Sequence, residues 1–184
     1  MGLRIFVAIT PSARSLARLG KLVVAYRARS SADSVRWIPS LNWHVTLSFL
    51  GNIDGTRVES VARAVDQARD GRGALSLRPR YLGGFPRRKP RVMACALDPT
   101  PRLERLVERI RTALDEGGFE ADDKPFRPHV TVGRLTKARA PVLASDVSHA
   151  RILFDKVSVF RSETLSSGAR YEALHEFPLV REES

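Results

Sequence analysis

The chain has 184 residues and a mass of 20.5 kDa, with 43% hydrophobic and 28% charged residues. That is enough apolar material for one domain or two joined lobes, which excludes a disordered chain, and no apolar run approaches the ~18 residues of a membrane span. Lys and Arg total 31 against 20 Asp and Glu, giving a net charge of +11 and a pI near 10.9, a balance that favours a polyanionic partner because the planar fork of Arg matches phosphate.

The opening residues, Met1 to Thr10, are too short and strand-like for a secretory leader. Leu3 to Ile9 predicts a strand, and Thr10-Pro11 predicts a helix start, with Thr as N-cap and Pro at the first helical position. Leu16, Leu19, Leu22, Val23 and Tyr26 then recur at helical spacing. Residues 1 to 32 hold six basic residues and no acid. Val35 to Ile38 reads as extended and stops at Pro39, and Trp43 to Leu50 reads as a strong strand closed by Gly51-Asn52. Thr56 is the expected cap of a second helix carrying Val58, Val61, Ala62 and Val65 on one face.

Similar material follows. Ala74 to Leu82 and Arg91 to Leu97 predict strands around a basic Gly/Pro-rich loop from Gly83 to Pro90. Residues 71 to 97 hold seven basic residues and no acid. Cys95 is the single cysteine, so neither a disulfide framework nor a cysteine zinc site is predicted, and a reducing cytoplasm is the expected location. Thr100-Pro101 repeats the Thr-Pro helix start, Leu103 to Leu114 carries an apolar stripe, and Gly117-Gly118 ends it. Pro128 to Arg134 predicts another strong strand. Residues 151–162 and 170–179 predict two more, flanking a Ser166-Ser167-Gly168 turn. The expected fold class is α+β, one domain over residues 1–184 made of two similar lobes sharing a core, from sequence halves at approximately 1–73 and 74–184.

Two of the four histidines begin the same tetrad, His44-Val45-Thr46-Leu47 and His129-Val130-Thr131-Val132. Each falls in a predicted strand, where alternate side chains share a face. His44, Thr46 and Ser48 should lie on one face and Val45, Leu47 and Phe49 on the other. His129 and Thr131 likewise oppose Val130 and Val132. A single strand histidine is ordinarily a half-buried residue bonded to a carbonyl, but two such tetrads by accident have a probability of roughly 4 in 10,000 at this composition. His149 and His175 belong to no motif.

These blocks resemble the 2H phosphoesterases, within them the RNA 2',3'-cyclic phosphodiesterases also called 2'-5' RNA ligases. The resemblance spans nearly the whole chain. It is carried by Arg4 to Ile9, by Arg36-Trp37-Ile38 with Asn42 to Gly51, by Gly83 to Pro86 with Pro90 to Val92, by Phe126 to Arg134, and by Gly168 to Tyr171. Trp43 departs from the pattern, where a smaller aliphatic residue is usual. The resemblance implies two pseudo-symmetric lobes of antiparallel sheet with helices outside and an active-site cleft between them, across which the motifs face each other.

Two imidazoles suit phosphodiester cleavage without metal, because an ordinary pKa of ~6.5 lets one act as base and the other as acid near neutrality. Thr46 and Thr131 can bond the phosphate oxygens. The two tetrads are near copies, so spacing leaves their roles open. The resemblance implies that His44 is the proton donor and His129 the acceptor, with a 2'-monophosphate product. It also supports Arg134 as a phosphate clamp, although regular alternation puts Arg134 opposite His129, so it can serve only if the strand ends or bends. Phe126 is a candidate for stacking on a base, and Arg87, Arg88 and Lys89 for holding an RNA backbone. No metal, cofactor, P-loop or adenylation motif is indicated, so any 2'-5' ligation would be the same transesterification reversed, without ATP. The expected partner is RNA with a 2',3'-cyclic phosphate end, with no membrane and no obligate protein partner. The competing readings are a 2H enzyme acting on a small cyclic-phosphate nucleotide and a non-catalytic RNA-binding module.

Overall fold

The computed structural model describes residues 2–28, 35–69, 73–120, 125–136, 146–147, 149–165 and 168–179. The apolar run after Gly2 forms strand β1 (Gly2–Pro11), buried without interruption from Ile5 to Ile9. Helix α1 (Ala13–Arg27) follows. Its cap is Ser12, whose side chain accepts from the Ser15 amide, and not the expected Thr10. The strand outlasts the Thr-Pro signal because Thr10 and Pro11 still pair with β8 (Ile152–Leu165). Strand β2 (Val35–Trp37) is short, and β3 (Val45–Asp54) is long. Asp54, not Thr56, caps the next turn: its carboxylate accepts from both the amide and the hydroxyl of Thr56. A single 3-10 turn, Gly55–Arg57, then leads into α2 (Val58–Ala68).

The predicted strand from Ala74 to Leu82 is two strands, β4 (Leu75–Leu77) and β5 (Pro79–Phe85), which join different sheets. They part at Arg78, whose carbonyl accepts from the Asp98 amide while its guanidinium pairs with the Asp98 carboxylate. Strand β6 (Val92–Leu97) precedes α3 (Pro101–Glu116), where Thr100 caps the helix as the sequence predicts. Gly118, at φ +70°, turns the chain out of it. Strands β7 (His129–Leu135), β8 and β9 (Gly168–Pro178) complete the fold. Of the expected Ser166-Ser167-Gly168 turn, both serines lie outside the described residues.

Two antiparallel sheets result. One has the order β3-β1-β8-β4, with β9 also paired to β8, and the other has the order β2-β7-β6-β5. This is the expected α+β class with antiparallel sheets. The sheets do not divide at the expected boundary near residue 73, however. β2 comes from the first half and joins β5, β6 and β7, while β4, β8 and β9 come from the second half and join β1 and β3. Ladder partners, not proximity in sequence, decide the exchange: β2 covers the open edge of β7, and β8 the open edge of β1.

One continuous core unites the elements. Leu19 and Val23 of α1, Val61 and Val65 of α2, and Leu106 and Ile110 of α3 pack with Val7, Ile9, Val130, Val132, Val157 and Val159 of the strands. Each such large side chain contributes ~1.5–3 kcal/mol relative to leaving it exposed.

Candidate active site

His44 immediately precedes β3 and His129 opens β7, the backs of both strands are in this core, and both tetrads interrupt their ladder at the same place. In β3, Thr46 stands opposite Ala8 and Ser48 opposite Val7, leaving Leu47 as the extra residue. In β7, Thr131 stands opposite Ala94 and Gly133 opposite Met93, leaving Val132 as the extra residue. The fourth residue of each tetrad is therefore a β-bulge, which shifts the side chains that follow it to the other face, in β3 until a second register shift at Leu50.

The shift overturns part of the expected alternation. Ser48 turns inward, 2% exposed, while Phe49 turns outward, 47% exposed, with its ring 5.7 Å from that of Phe6. Arg134 is exposed after the buried pair Val132 and Gly133. Gly133 itself faces the core: a Cβ there would meet Val35 Cγ1 at 2.6 Å. The bulge thus returns Arg134 to the face of His129 and Thr131, which regular alternation denied it.

The histidines are held alike. His44 Nδ1 donates to the Asn42 carbonyl at 2.8 Å, and His129 Nδ1 donates to the Arg127 carbonyl at 2.7 Å. Each bond spans two residues and fixes the tautomer, leaving Nε2 as the nitrogen available for proton transfer. Aromatic rings pack on both. Phe6 lies 5.0 Å from His44 and Tyr171 stands edge-on at 5.2 Å, while Phe85 stacks on His129 at 4.2 Å. Burial pushes the His44 imidazole down from 6.5 to about 4; the Asn42 carbonyl opposes this and the charge of His129 adds to it. Burial also lowers His129, against the pull of the Arg127 carbonyl. β3 and β7 lie in contact, so the two imidazoles are within electrostatic reach.

Two hollows lie beside the rings that pack on the histidines, with neither imidazole in their linings. One of about 640 Å3 is bounded by Asn42, Phe160, Tyr171, Thr10 and the Lys156–Glu176 ion pair. The other, about 330 Å3, is bounded by Tyr81, Phe85, Phe126, Arg80 and Arg87. Phe126 is half-buried at this second hollow, against the core. Arg87, Arg88 and Lys89 are exposed, and the Arg87 guanidinium lies over the Tyr81 ring at 5.0 Å. His175 pairs instead with Glu59 at 3.2 Å, and His149 is exposed in a turn. Among the described residues no three His, Cys, Asp or Glu side chains gather as metal ligands. None of their helices is long and apolar enough to cross a membrane.

Sequence reasoning did not pick out the rings on the histidines. Phe6, Phe160 and Tyr171 sit on three strands and meet at His44 only through the register Phe6↔Phe160 and Ser162↔Tyr171. Nor did it single out Arg36, which the register places opposite Arg134.

Two sheets, each presenting a bulged His-x-Thr strand with its imidazole tied to its own backbone, define a two-histidine phosphoesterase scaffold. Residues 16–165 match the model of the 2'-5' RNA ligase superfamily, and the chain belongs to that family. A Thermotoga maritima protein named RNA 2',3'-cyclic phosphodiesterase is 29% identical over 76% of this chain and 77% of its own length. A Bacillus subtilis protein of the same name is 27% identical over 78% and 80%. In fold, the chain is like a crystal structure of a Thermus thermophilus protein, with a TM-score of 0.79 at 24% identity over 98% of this chain and 100% of that one.

Proposed function

We propose that the protein opens 2',3'-cyclic phosphate ends of RNA to 2'-monophosphates by acid–base catalysis from two histidines. The observation that carries this reading is the duplication of one device: in each sheet an imidazole with Nδ1 tied two residues back, a threonine two residues on, and a bulge that aims the next residues at the same face. Two relatives bear the name of this activity.

His129 Nε2 takes a proton from water, whose oxygen forms the new bond to phosphorus. The bond from phosphorus to the 3' oxygen breaks, and His44 Nε2 supplies the proton that the departing oxygen needs. The Thr46 and Thr131 hydroxyls and the Arg134 guanidinium hold the non-bridging oxygens, where charge accumulates. His44 is neutral in the free protein near pH 7, so it acquires its proton alongside the anionic substrate, whose charge favours the imidazolium. With a 5' hydroxyl in the place of water, the same step breaks the bond to the 3' oxygen and joins the two ends through a 2'-5' phosphodiester without ATP. Arg87, Arg88 and Lys89 contact the RNA backbone, and Phe126 stacks on a base. The single cysteine, Cys95, is buried and its thiol is pushed up to about 12, which suits a reducing cytoplasm.

The test is incubation in chelator with a short RNA ending in a 2',3'-cyclic phosphate. The expected product is the 2'-monophosphate; a 3'-monophosphate, or no turnover, refutes the reading. His44→Ala and His129→Ala should each lose at least the ~10²–10⁴-fold typical of a general acid or base. A substrate whose leaving oxygen needs no proton should restore His44→Ala and not His129→Ala, and the opposite pattern reverses the roles.

A further inference from the structure

Arg36 and Arg134 stand directly opposite each other in the β2–β7 ladder. Residues so paired share a face, with Cβ atoms ~4.5–5.5 Å apart, and like charges there are destabilising. Gly133 identifies the face. Val35 Cγ1 and Trp37 Cε3 crowd its core side, and Trp37 meets Tyr26 and Arg27 of α1 there. Arg36, between Val35 and Trp37, therefore points the other way, to the side of His129 and Thr131. Both arginines are exposed, and neither has a carboxylate partner among the described residues. A repulsive pair between a three-residue edge strand and its neighbour would be relieved by an anion laid across it.

Arg134 occupies the row next to Thr131, one bulged step away, and Arg36 lies one strand further out. We propose that Arg36 holds the internucleotide phosphate that precedes the cyclic phosphate, beside an Arg134 engaged on the cyclic phosphate itself. The preferred substrate is then an oligonucleotide and not a nucleoside cyclic phosphate. This rests on the function proposed above and gives that site a second phosphate position. Arg supplies the bidentate fork, and Lys in its place would supply only charge.

The experiment compares a nucleoside 2',3'-cyclic phosphate with a dinucleotide carrying the same terminal group. Arg36→Ala should lower kcat/KM for the dinucleotide about ten-fold more than for the nucleoside, with Arg36→Lys between it and wild type. Arg63→Ala, an exposed arginine on α2, controls for net charge and should alter neither. A parallel arm measures binding of a short RNA ending in a 2'-monophosphate by fluorescence anisotropy, where Arg36→Ala should reduce the salt slope by about 0.7, the share of one phosphate contact on a single strand. Equal losses on both substrates, or none on either with an unchanged salt slope, overturn the proposal. Should the wild type hydrolyse neither substrate, the enzymatic reading fails, while the binding arm still decides whether Arg36 holds a phosphate.

Discussion

At the scale of single residues, His44 shows how a motif and its environment differ in legibility. The tetrad is plain in the sequence, and the threonine two residues on follows from strand geometry. The rings that desolvate the imidazole are not, because Phe6, Phe160 and Tyr171 are brought together only by ladder register. That desolvation has a measurable sign. An imidazole held at about 4 when folded and at 6.5 when unfolded binds fewer protons in the native state between those values. The stability it contributes is full above about pH 6.5 and is lost as pH falls toward 4. Denaturant midpoints at pH 7 and pH 5 should show the decline. His44→Phe, which keeps a ring but cannot titrate, should reduce the difference between the two midpoints.

At the scale of elements, the two bulges decide which side chains reach the cleft. Alternation read from the sequence assigns Phe49 to the core and Ser48 to the site, and the extra residue at Leu47 exchanges them. A bulge has no signature in apolar periodicity, so the residues up to each threonine could be placed and those beyond it could not. Gly133 is the nearest thing to a signal, since it pairs with Trp37 where the side chains of Val35 and Trp37 leave no room for a Cβ. Gly133→Ala puts a methyl group against Val35 at 2.6 Å. Overpacking of this kind costs ~1–3 kcal/mol, and the strand displaced is the one that carries Arg36. The variant should unfold at lower urea and lose RNA affinity together. A variant that kept both would mean that β2 can shift without consequence. Helix starts were legible where polar caps had no competing ladder, as at Thr100, and misread where a strand continued past the cap signal, as at Thr10.

At the scale of the whole molecule, the excess of positive charge was legible from composition, but its placement was not. The basic loop after Phe85 folds back so that Arg87 covers Tyr81 beside the hollow near His129. Replacing Arg87, Arg88 and Lys89 with Ala should flatten the salt dependence of RNA binding by about two units of slope if all three meet phosphates, at ~0.7 per contact on a single strand. The loss should grow with RNA length. A loss just as large on a dinucleotide would assign the loop to the catalytic centre.

The exchange of strands between the sheets also governs how the chain comes to be folded. β1 is made first, yet one of its edges is completed only by β8, more than 140 residues later. During synthesis, β3 can pair with β1 as soon as it leaves the ribosome, but the opposite edge of β1 stays open until residues 152–165 emerge. An unpaired apolar edge invites other strands. A nascent chain stalled before β8 should therefore be the species that chaperones hold and proteases cut, and release of β8 should protect β1, β3 and β4 in one step.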